Sequence, residues 1–199
     1  MKQSQFDLGR VSAISDGVFA IAMTLLVLDL KLPDLGAGVS REAFAAAIVG
    51  QAPRFVSWLL SFAILARLWI MQHAMLATGD TRSRGFMGWT FVFLGAVSFV
   101  PFPTSLLSEH HDQALSVFIF SATLAVAGIA LLAMLMIERR DHGTEGGKAA
   151  PKGSPRVLMY SILGAAVVSS LVALVTPVAG VWVWFGFLIL AELVMRRIG

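Results

Sequence analysis

Two aspartates enclose a short apolar run near the start of the chain, and this pattern suggests ion chemistry. Between Asp16 and Asp29 lie twelve apolar or small residues, GVFAIAMTLLVL. Carboxylates that face hydrocarbon are costly, so each should meet water or a partner. Twelve residues are also few for a helix surrounded by lipid, which needs about 20. If water reaches both aspartates, they would concentrate cations at the two ends of the run.

Three interpretations fit this segment. A signal-peptide core has a similar length, but Asp16 stands where basic residues belong, and no convincing small-residue cleavage site follows. A helix packed inside a bundle is the plain structural alternative. The third interpretation is a helix that lines an aqueous path, with the carboxylates at its mouths and apolar layers between them.

Helical geometry places three aliphatic residues of this run on one side. Ile21, Leu25 and Leu28 follow the spacing i, i+4, i+7, so they fall within an arc of about 60° on a helix. Thr24 borders the same side and brings one hydroxyl among hydrocarbon. Around a symmetry axis these residues would form stacked aliphatic rings, and apolar constrictions gate permeation by dewetting. Because the same spacing is common in core packing, the geometry permits a channel without requiring one.

The composition of the whole chain identifies a membrane protein. Of the 199 residues, 57% are hydrophobic and 14% are charged, and the mean hydropathy is +0.81. Soluble domains are nearer one half apolar and one quarter charged, and a 21.3 kDa globule lacks the interior to hide the excess. The same values exclude intrinsic disorder. Since cysteine is absent, disulfides, thiolate metal sites and cysteine nucleophiles are excluded.

Six apolar segments predict an all-α, polytopic membrane protein with six transmembrane helices. They lie near residues 15–32, 54–77, 86–108, 112–137, 157–178 and 180–195. The second is expected to begin earlier, as an amphipathic stretch from Arg41. None shows the period-two alternation of a membrane barrel, so strands are not expected. Pro101 and Pro103 remove backbone donors inside the third segment and predict a kink or an early helix end.

The distribution of basic residues predicts a multi-pass protein of the cell membrane with both termini cytoplasmic. The inside segments hold eleven of the fifteen lysines and arginines and the outside loops hold three. Arg67 lies within a span and should snorkel or pair with an acid. Because the basic residues occupy short loops, topology explains the charge of +3 and nucleic-acid binding is not expected. Trp182 and Trp184 are expected to anchor the outer interface.

The chain is predicted to form one transmembrane domain over residues 1–199. Residues 138–156 are rich in glycine, proline and charge and predict a mobile cytoplasmic loop. The turn Glu109–Asp112 (EHHD) offers two acids and two histidines. An exposed turn is favoured there over a metal site, and no cofactor is predicted.

Enzymatic chemistry is not predicted, since neither GxSxG nor HExxH spacing occurs. The carbonyl-filter sequence TVGYG is also absent, and residues 176–180 form a proline-containing turn sequence. A secondary transporter or proton-coupled carrier stays open as the alternative function. Such carriers normally show duplicated halves and interrupted helices, of which the proline-containing third segment is the single hint.

Three blocks of the sequence resemble the transmembrane protein 175 family, that of the lysosomal potassium channel and its bacterial homologues. The first block extends from Arg10 to Leu28 and follows the family pattern of Arg, three residues, Phe-Ser-Asp and an Ile/Leu-rich helix, with Ile14 at the Phe position. The second is residues 68–73 (LWIMQH), and the third is residues 100–107 (VPFPTSLL). The motifs cover the first two thirds of the chain, and the remainder agrees in span count.

This resemblance implies a six-helix subunit whose first helix lines a cation pore. Members with a single six-helix repeat form tetramers, and the signature occurs once in this sequence, so a homotetramer is the implied assembly. The favoured function is therefore a passive, potassium-permeable channel in a lipid bilayer. Its selectivity should be moderate, because an aliphatic ring replaces hydration shells poorly.

The resemblance also assigns roles to individual residues. The aliphatic constriction comprises Ile21, Leu25 and Leu28, and Thr24 corresponds to the threonine that sets ion preference. A buried polar network comprises Arg10, Ser15, Asp16, Trp69 and His73. Spacing adds that Trp69 and His73, four residues apart, share a helix face. The remaining aspartate of the first helix, Asp29, is predicted at a pore mouth.

Overall fold

The computed structural model describes residues 6–31, 33–76, 81–142 and 155–198, which form helices and one pair of two-residue strands. The strands β1 (Phe6–Asp7) and β2 (Thr81–Arg82) pair antiparallel, with Phe6 opposite Arg82. The helices are α1 (Leu8–Leu25), which continues as a 3-10 helix (Leu26–Asp29), α2 (Arg41–Gly50), α3 (Ala52–Leu76), α4 (Arg84–Phe99), α5 (Pro101–Glu109), α6 (Ala114–His142), α7 (Pro155–Ala173) and α8 (Pro177–Ile198). The all-α prediction is confirmed, although the sequence did not predict the short strand pair.

Within the described residues, four helical segments are long and apolar enough to cross a membrane. They are Gly9–Asp29, Ala52–Leu76, Arg84–Glu109 and Ala114–Glu138. The described parts of α7 and α8 give two shorter apolar helices, Met159–Ala173 and Pro177–Leu193. The multi-pass architecture is therefore confirmed, whereas the count of six spans and the orientation stay predictions. Residues 143–154, most of the expected cytoplasmic loop, lie outside the described residues, and α6 continues through His142.

The third apolar segment breaks where its prolines predict. Helix α4 ends at Phe99, and α5 begins at Pro101. Neither Pro101 nor Pro103 has a backbone N–H, so the helical hydrogen-bond ladder is interrupted at this point. The Thr104 hydroxyl donates to the Val100 carbonyl at 2.9 Å and also lies 2.8 Å from the Ser61 hydroxyl of α3. The break is thus fixed to a neighbouring helix by buried polar side chains.

The amphipathic stretch before α3 forms a helix of its own. Helix α2 begins after Ser40, whose hydroxyl accepts a hydrogen bond from the Ala43 backbone amide at 3.2 Å, a standard N-cap. It is separated from α3 at Gln51 instead of leading into it without a break. All described residues of α2 are exposed or half-buried within the single chain.

The last three helices enclose a buried chain of hydrogen bonds. The Trp184 indole donates to Ser121 at 3.2 Å, the Ser121 hydroxyl donates to Ser169 at 3.3 Å, and Ser169 donates to the Gly180 carbonyl at 2.7 Å. Trp184 is fully buried, so its expected role as an interface anchor is wrong, whereas Trp182 is 56% exposed. Buried indole N–H groups need an acceptor, and Ser121 supplies it.

Candidate pore-lining face of the first helix

Helix α1 and the 3-10 turn after it have one packed side and one uncovered side. The packed side comprises Val11, Ser15, Phe19, Ala22 and Leu26, all at most 7% exposed. Phe19 contacts Phe93 of α4, with ring centroids 5.8 Å apart. The spacing of these residues is that of a single helical face, so α1 is anchored to the subunit along one side.

The uncovered side contains the three predicted constriction residues. Ile21, Leu25 and Leu28 are 61%, 43% and 60% exposed, and we call them the aliphatic stripe. Since none of the three contributes to the core of its own subunit, their shared spacing is not explained by packing within the chain. Within a single subunit, α1 is therefore packed on one side only.

Thr24 lies exposed beside the aliphatic stripe. Its hydroxyl donates to the Ile21 carbonyl at 2.9 Å. Because the proton is used in this bond, the hydroxyl oxygen presents lone pairs to its surroundings. Lone pairs suit a cation, whereas a free hydroxyl proton would not.

Polar side chains join α1 to the C-terminal half of α3. The Trp69 indole donates to an Asp16 carboxylate oxygen at 2.8 Å, and the Gln72 amide donates to the Ser15 hydroxyl at 3.1 Å. The His73 ring lies against Trp69, with centroids 5.3 Å apart. A hydrogen bond to a carboxylate is about twice as strong as a neutral one, so Trp69 and Asp16 fix the relative positions of the two helices.

The structure thus brings four of the five predicted network residues together and adds one. Ser15, Asp16, Trp69 and His73 lie together, whereas Arg10 is exposed and has no hydrogen bond or ion pair to another described residue. Sequence reasoning missed Gln72, although it lies in the quoted block LWIMQH, because a glutamine carries no ionisable group to draw attention. Within one chain Ser15 and Gln72 are buried.

Two arginines of α3 contact acidic side chains of neighbouring helices. Arg54, near the N-terminal end of α3, donates to the Lys31 carbonyl at 3.1 Å and lies 3.8 Å from the Glu109 carboxylate. Glu109 belongs to the EHHD turn, and Asp112 of the same turn accepts a hydrogen bond from Gln113 at 3.3 Å, so two of the four candidate metal ligands have partners within the chain. Arg67 of α3 pairs with Glu192 of α8 at 3.4 Å, which confirms the expectation of an acidic partner. Asp29, half-buried, ends the 3-10 helix.

Comparisons with known proteins indicate one family. Residues 10–101 match the family model described as the endosomal/lysosomal potassium channel TMEM175. A potassium channel of Chamaesiphon minutus is 38% identical over 112 residues, which cover 55% of this chain and 55% of that protein. The human endosomal/lysosomal proton channel TMEM175 is 31% identical over 134 residues, covering 63% of this chain and 27% of the human protein.

The fold is also similar to a solved structure. The crystal structure of a lysosomal potassium-selective channel TMEM175 homolog from Chamaesiphon minutus superposes with a TM-score of 0.73 at 26% identity, covering 94% of this chain and 96% of that one. In sequence, the match spans about half the length of the bacterial relative. The resemblance seen in the three motif blocks is confirmed.

Proposed function

We propose that this chain, which is a TMEM175-family sequence over residues 10–101, is one subunit of a potassium-permeable channel. The observation that carries this proposal is the aliphatic stripe, which the subunit leaves uncovered. The opposite side of the same helix is packed against α3 and α4. A helix anchored on one side and bare on the other is suited to face an axis shared by several copies.

Four copies around an axis would turn the stripe into a gate. A single helix cannot enclose a pore, whereas closed rotational symmetry repeats one surface around a common path. Ile21 and Leu25 would then form rings about 6 Å apart along the axis, and Leu28, on the 3-10 turn, would form a third ring about 6 Å beyond Leu25. Such rings exclude water when narrow and conduct ions when wide, so their diameter sets conduction.

Ion preference in this proposal comes from Thr24 and from the carboxylate at the outer mouth. The Thr24 hydroxyl donates its proton to the Ile21 carbonyl. In this proposal, the lone pairs of its oxygen are available to a cation beside the narrowest part of the pore. Asp29 is placed at the end of the 3-10 helix and enriches cations there. Asp16 has a different part, since its bond to Trp69 fixes α1 against α3.

Flux into liposomes tests the proposal against the transporter alternative. Purified protein is reconstituted with a potassium gradient and no other permeant ion gradient, a protonophore carries the compensating charge, and dissipation is followed with a potassium-sensitive dye. A channel dissipates the gradient without a coupled ion, and the rate rises with the gradient. A rate that requires added sodium or a proton gradient, or that saturates at low potassium, would support a carrier and contradict the proposal.

A further inference from the structure

The 3-10 turn at the end of the first helix carries Leu28 and Asp29, and its position depends on contacts with other helices. Hydrogen-bond geometry in 3-10 helices is poor, and runs longer than about four residues are uncommon. Leu26, the first residue of the turn, is fully buried, and the turn packs against α3 and α5. This contact fixes the start of the turn but leaves its far end free to pivot about Leu26. The position of Leu28 therefore depends also on what holds the backbone beyond it.

Arg54 provides this second contact. Its Nη1 donates to the Lys31 carbonyl oxygen at 3.1 Å and to the Gln51 side-chain oxygen at 3.1 Å. Its Nη2 lies 3.8 Å from a Glu109 carboxylate oxygen. The guanidinium thus connects the backbone after the 3-10 turn, the junction of α2 and α3, and the last residue of α5. All three partners belong to the same chain, so this arrangement does not depend on contacts between subunits.

The chemistry of arginine suits this position. A guanidinium is planar and permanently charged, and its five N–H donors have a fixed geometry. One Nη nitrogen carries two hydrogens, which serve the two carbonyl-type acceptors on Lys31 and Gln51. Positive charge is also favourable near the carbonyl end of a helix. Glu109 balances this charge, which would otherwise repel cations at this end of the proposed pore.

Helix α3 holds Arg54 itself in place. Arg54 is the third residue of this 25-residue helix, and its backbone amide donates to the Gln51 carbonyl at 2.9 Å. The following turns of α3 are packed in the subunit through the buried Ser57, Leu60 and Ser61. The Lys31 carbonyl is therefore bonded to a helix that is fixed by the core.

We propose that Arg54 is a positioning residue for the end of the pore at Leu28. This inference rests on the proposed function, because it requires that Leu28 lines the ion path. Leu28 lies between the buried Leu26 and the bonded Lys31, so the two contacts flank it. With both contacts in place, the exposed Leu28 side chain keeps one direction. Without Arg54 the turn pivots, and the ring that Leu28 forms becomes wider and less uniform.

Inhibition by cadmium measures the position of this ring. Thiolates bind soft metal ions, and a ring of them holds one ion only while the sulfurs stay close together. The natural chain has no cysteine, so Leu28→Cys and Ile21→Cys each introduce one ring, and cadmium on both sides of the membrane should inhibit the potassium flux of both. Arg54→Gln should weaken the inhibition of Leu28→Cys about tenfold, which corresponds to the loss of one hydrogen bond to a charged group. The inhibition of Ile21→Cys, which lies within α1, should not change.

Arg41→Gln is the matched control. Arg41 begins α2, is exposed, and makes no hydrogen bond or ion pair with another described residue, so its loss should leave both inhibitions unchanged. Three results would overturn the role of Arg54: unchanged inhibition of Leu28→Cys in Arg54→Gln, an equal loss in Arg41→Gln, or an equal loss for Leu28→Cys and Ile21→Cys. If Arg54→Gln does not fold, Arg54→Lys keeps the charge without the planar geometry and should give the same changes at a smaller size.

A spectroscopic measurement separates this inference from the proposed function. A nitroxide spin label on Leu28→Cys is recorded in detergent, and a label on Val167→Cys, at a position 60% exposed on α7, is the control. We expect Arg54→Gln to raise the mobility of the label at residue 28 alone. Raised mobility in a protein whose natural chain carries no potassium flux would keep the role of Arg54 and remove the channel. Normal flux of the natural chain with unchanged mobility in Arg54→Gln would keep the channel and remove the role of Arg54.

Discussion

Both the first five helices and the last three contain buried polar pairs, but the first five also carry a polar pair at the surface of the subunit. Between α6, α7 and α8, the polar atoms of Ser121, Ser169 and Trp184 bond to each other and are buried. Between α1 and α3, the Asp16–Trp69 pair lies at the surface of the subunit. The buried fraction differs as well. In the apolar stretch of the α1 segment 28% of the residues are buried, against 56% in that of α6.

We interpret α6 to α8 as a scaffold and α1 to α5 as the part that contacts other copies of the chain. Ser121, Ser169 and Trp184 satisfy their polar groups within α6 to α8. Helices α1 to α5 leave both the aliphatic stripe and charged groups uncovered. The family model matches residues 10–101, which include the aliphatic stripe. Changes in the scaffold should therefore affect stability, and changes in the first part should affect conduction.

The largest effect is expected from Trp184→Ala in the scaffold. The substitution removes a fully buried indole and leaves the Ser121 hydroxyl without its donor. We expect a loss of about 3–5 kcal/mol in the free energy of unfolding, seen as a lower thermal midpoint in detergent. Trp182→Ala is the matched control, because Trp182 is exposed. Equal midpoints for the two variants would refute the distinction between scaffold and partner surface.

A smaller loss in the free energy of unfolding is expected from breaking the hydrogen bond between Trp69 of α3 and Asp16 of α1. Trp69→Phe keeps the ring and removes the N–H that binds Asp16. Hydrogen bonds to charged groups contribute about 1.5–3 kcal/mol, and the exposed position favours the lower end. A double-mutant cycle with Asp16→Asn measures the coupling by thermal unfolding. Additive effects of the two substitutions would show that the bond does not fix the helices.

Ile21→Asn should raise conduction without destabilising the subunit. Ile21 is 61% exposed, so no core contact is lost, while a polar ring would wet the constriction. We expect potassium flux to rise about tenfold, equivalent to about 1.4 kcal/mol of barrier. The control is Leu190→Asn on α8, a site 57% exposed. If the potassium flux rises equally in both variants, or in neither, Ile21 does not line the pore.

The smallest effect is expected from Thr24→Val, which has nearly the same shape and lacks the hydroxyl. The preference for potassium over sodium should fall by about twofold to fivefold, or less than 1 kcal/mol. Reversal potentials under potassium and sodium gradients provide the measurement. Thr24→Ser keeps the hydroxyl and should keep the preference. A loss of preference in Thr24→Ser alone would contradict the role given to the oxygen.

Local patterns predicted a large part of this structure. The helix break at Pro101 followed from the missing backbone donors, and the shared side of Ile21, Leu25 and Leu28 followed from helical periodicity. Both properties depend on residues near one another in sequence. The exposure of that side could not be derived in the same way, because it depends on where α3 and α4 pack.

The errors came from tertiary contacts. Trp184 looked like an interface anchor because tryptophans are common there, and its burial depends on Ser121, 63 residues away. The Ser15–Gln72 bond joins residues 57 apart, and neither side chain is charged. Long-range hydrogen bonds between neutral side chains leave no periodic signal in a sequence.

Accessibility of the aliphatic stripe from water tests the central claim most directly. Ile21→Cys in the cysteine-free chain is reconstituted and exposed to a charged, water-soluble thiol reagent while potassium flux is recorded, with the buried Phe19→Cys as control. We predict that the reagent reduces flux through Ile21→Cys and leaves Phe19→Cys unchanged. Unaltered flux through Ile21→Cys, with its thiol modified only by a lipid-soluble reagent, would show that the stripe faces the bilayer.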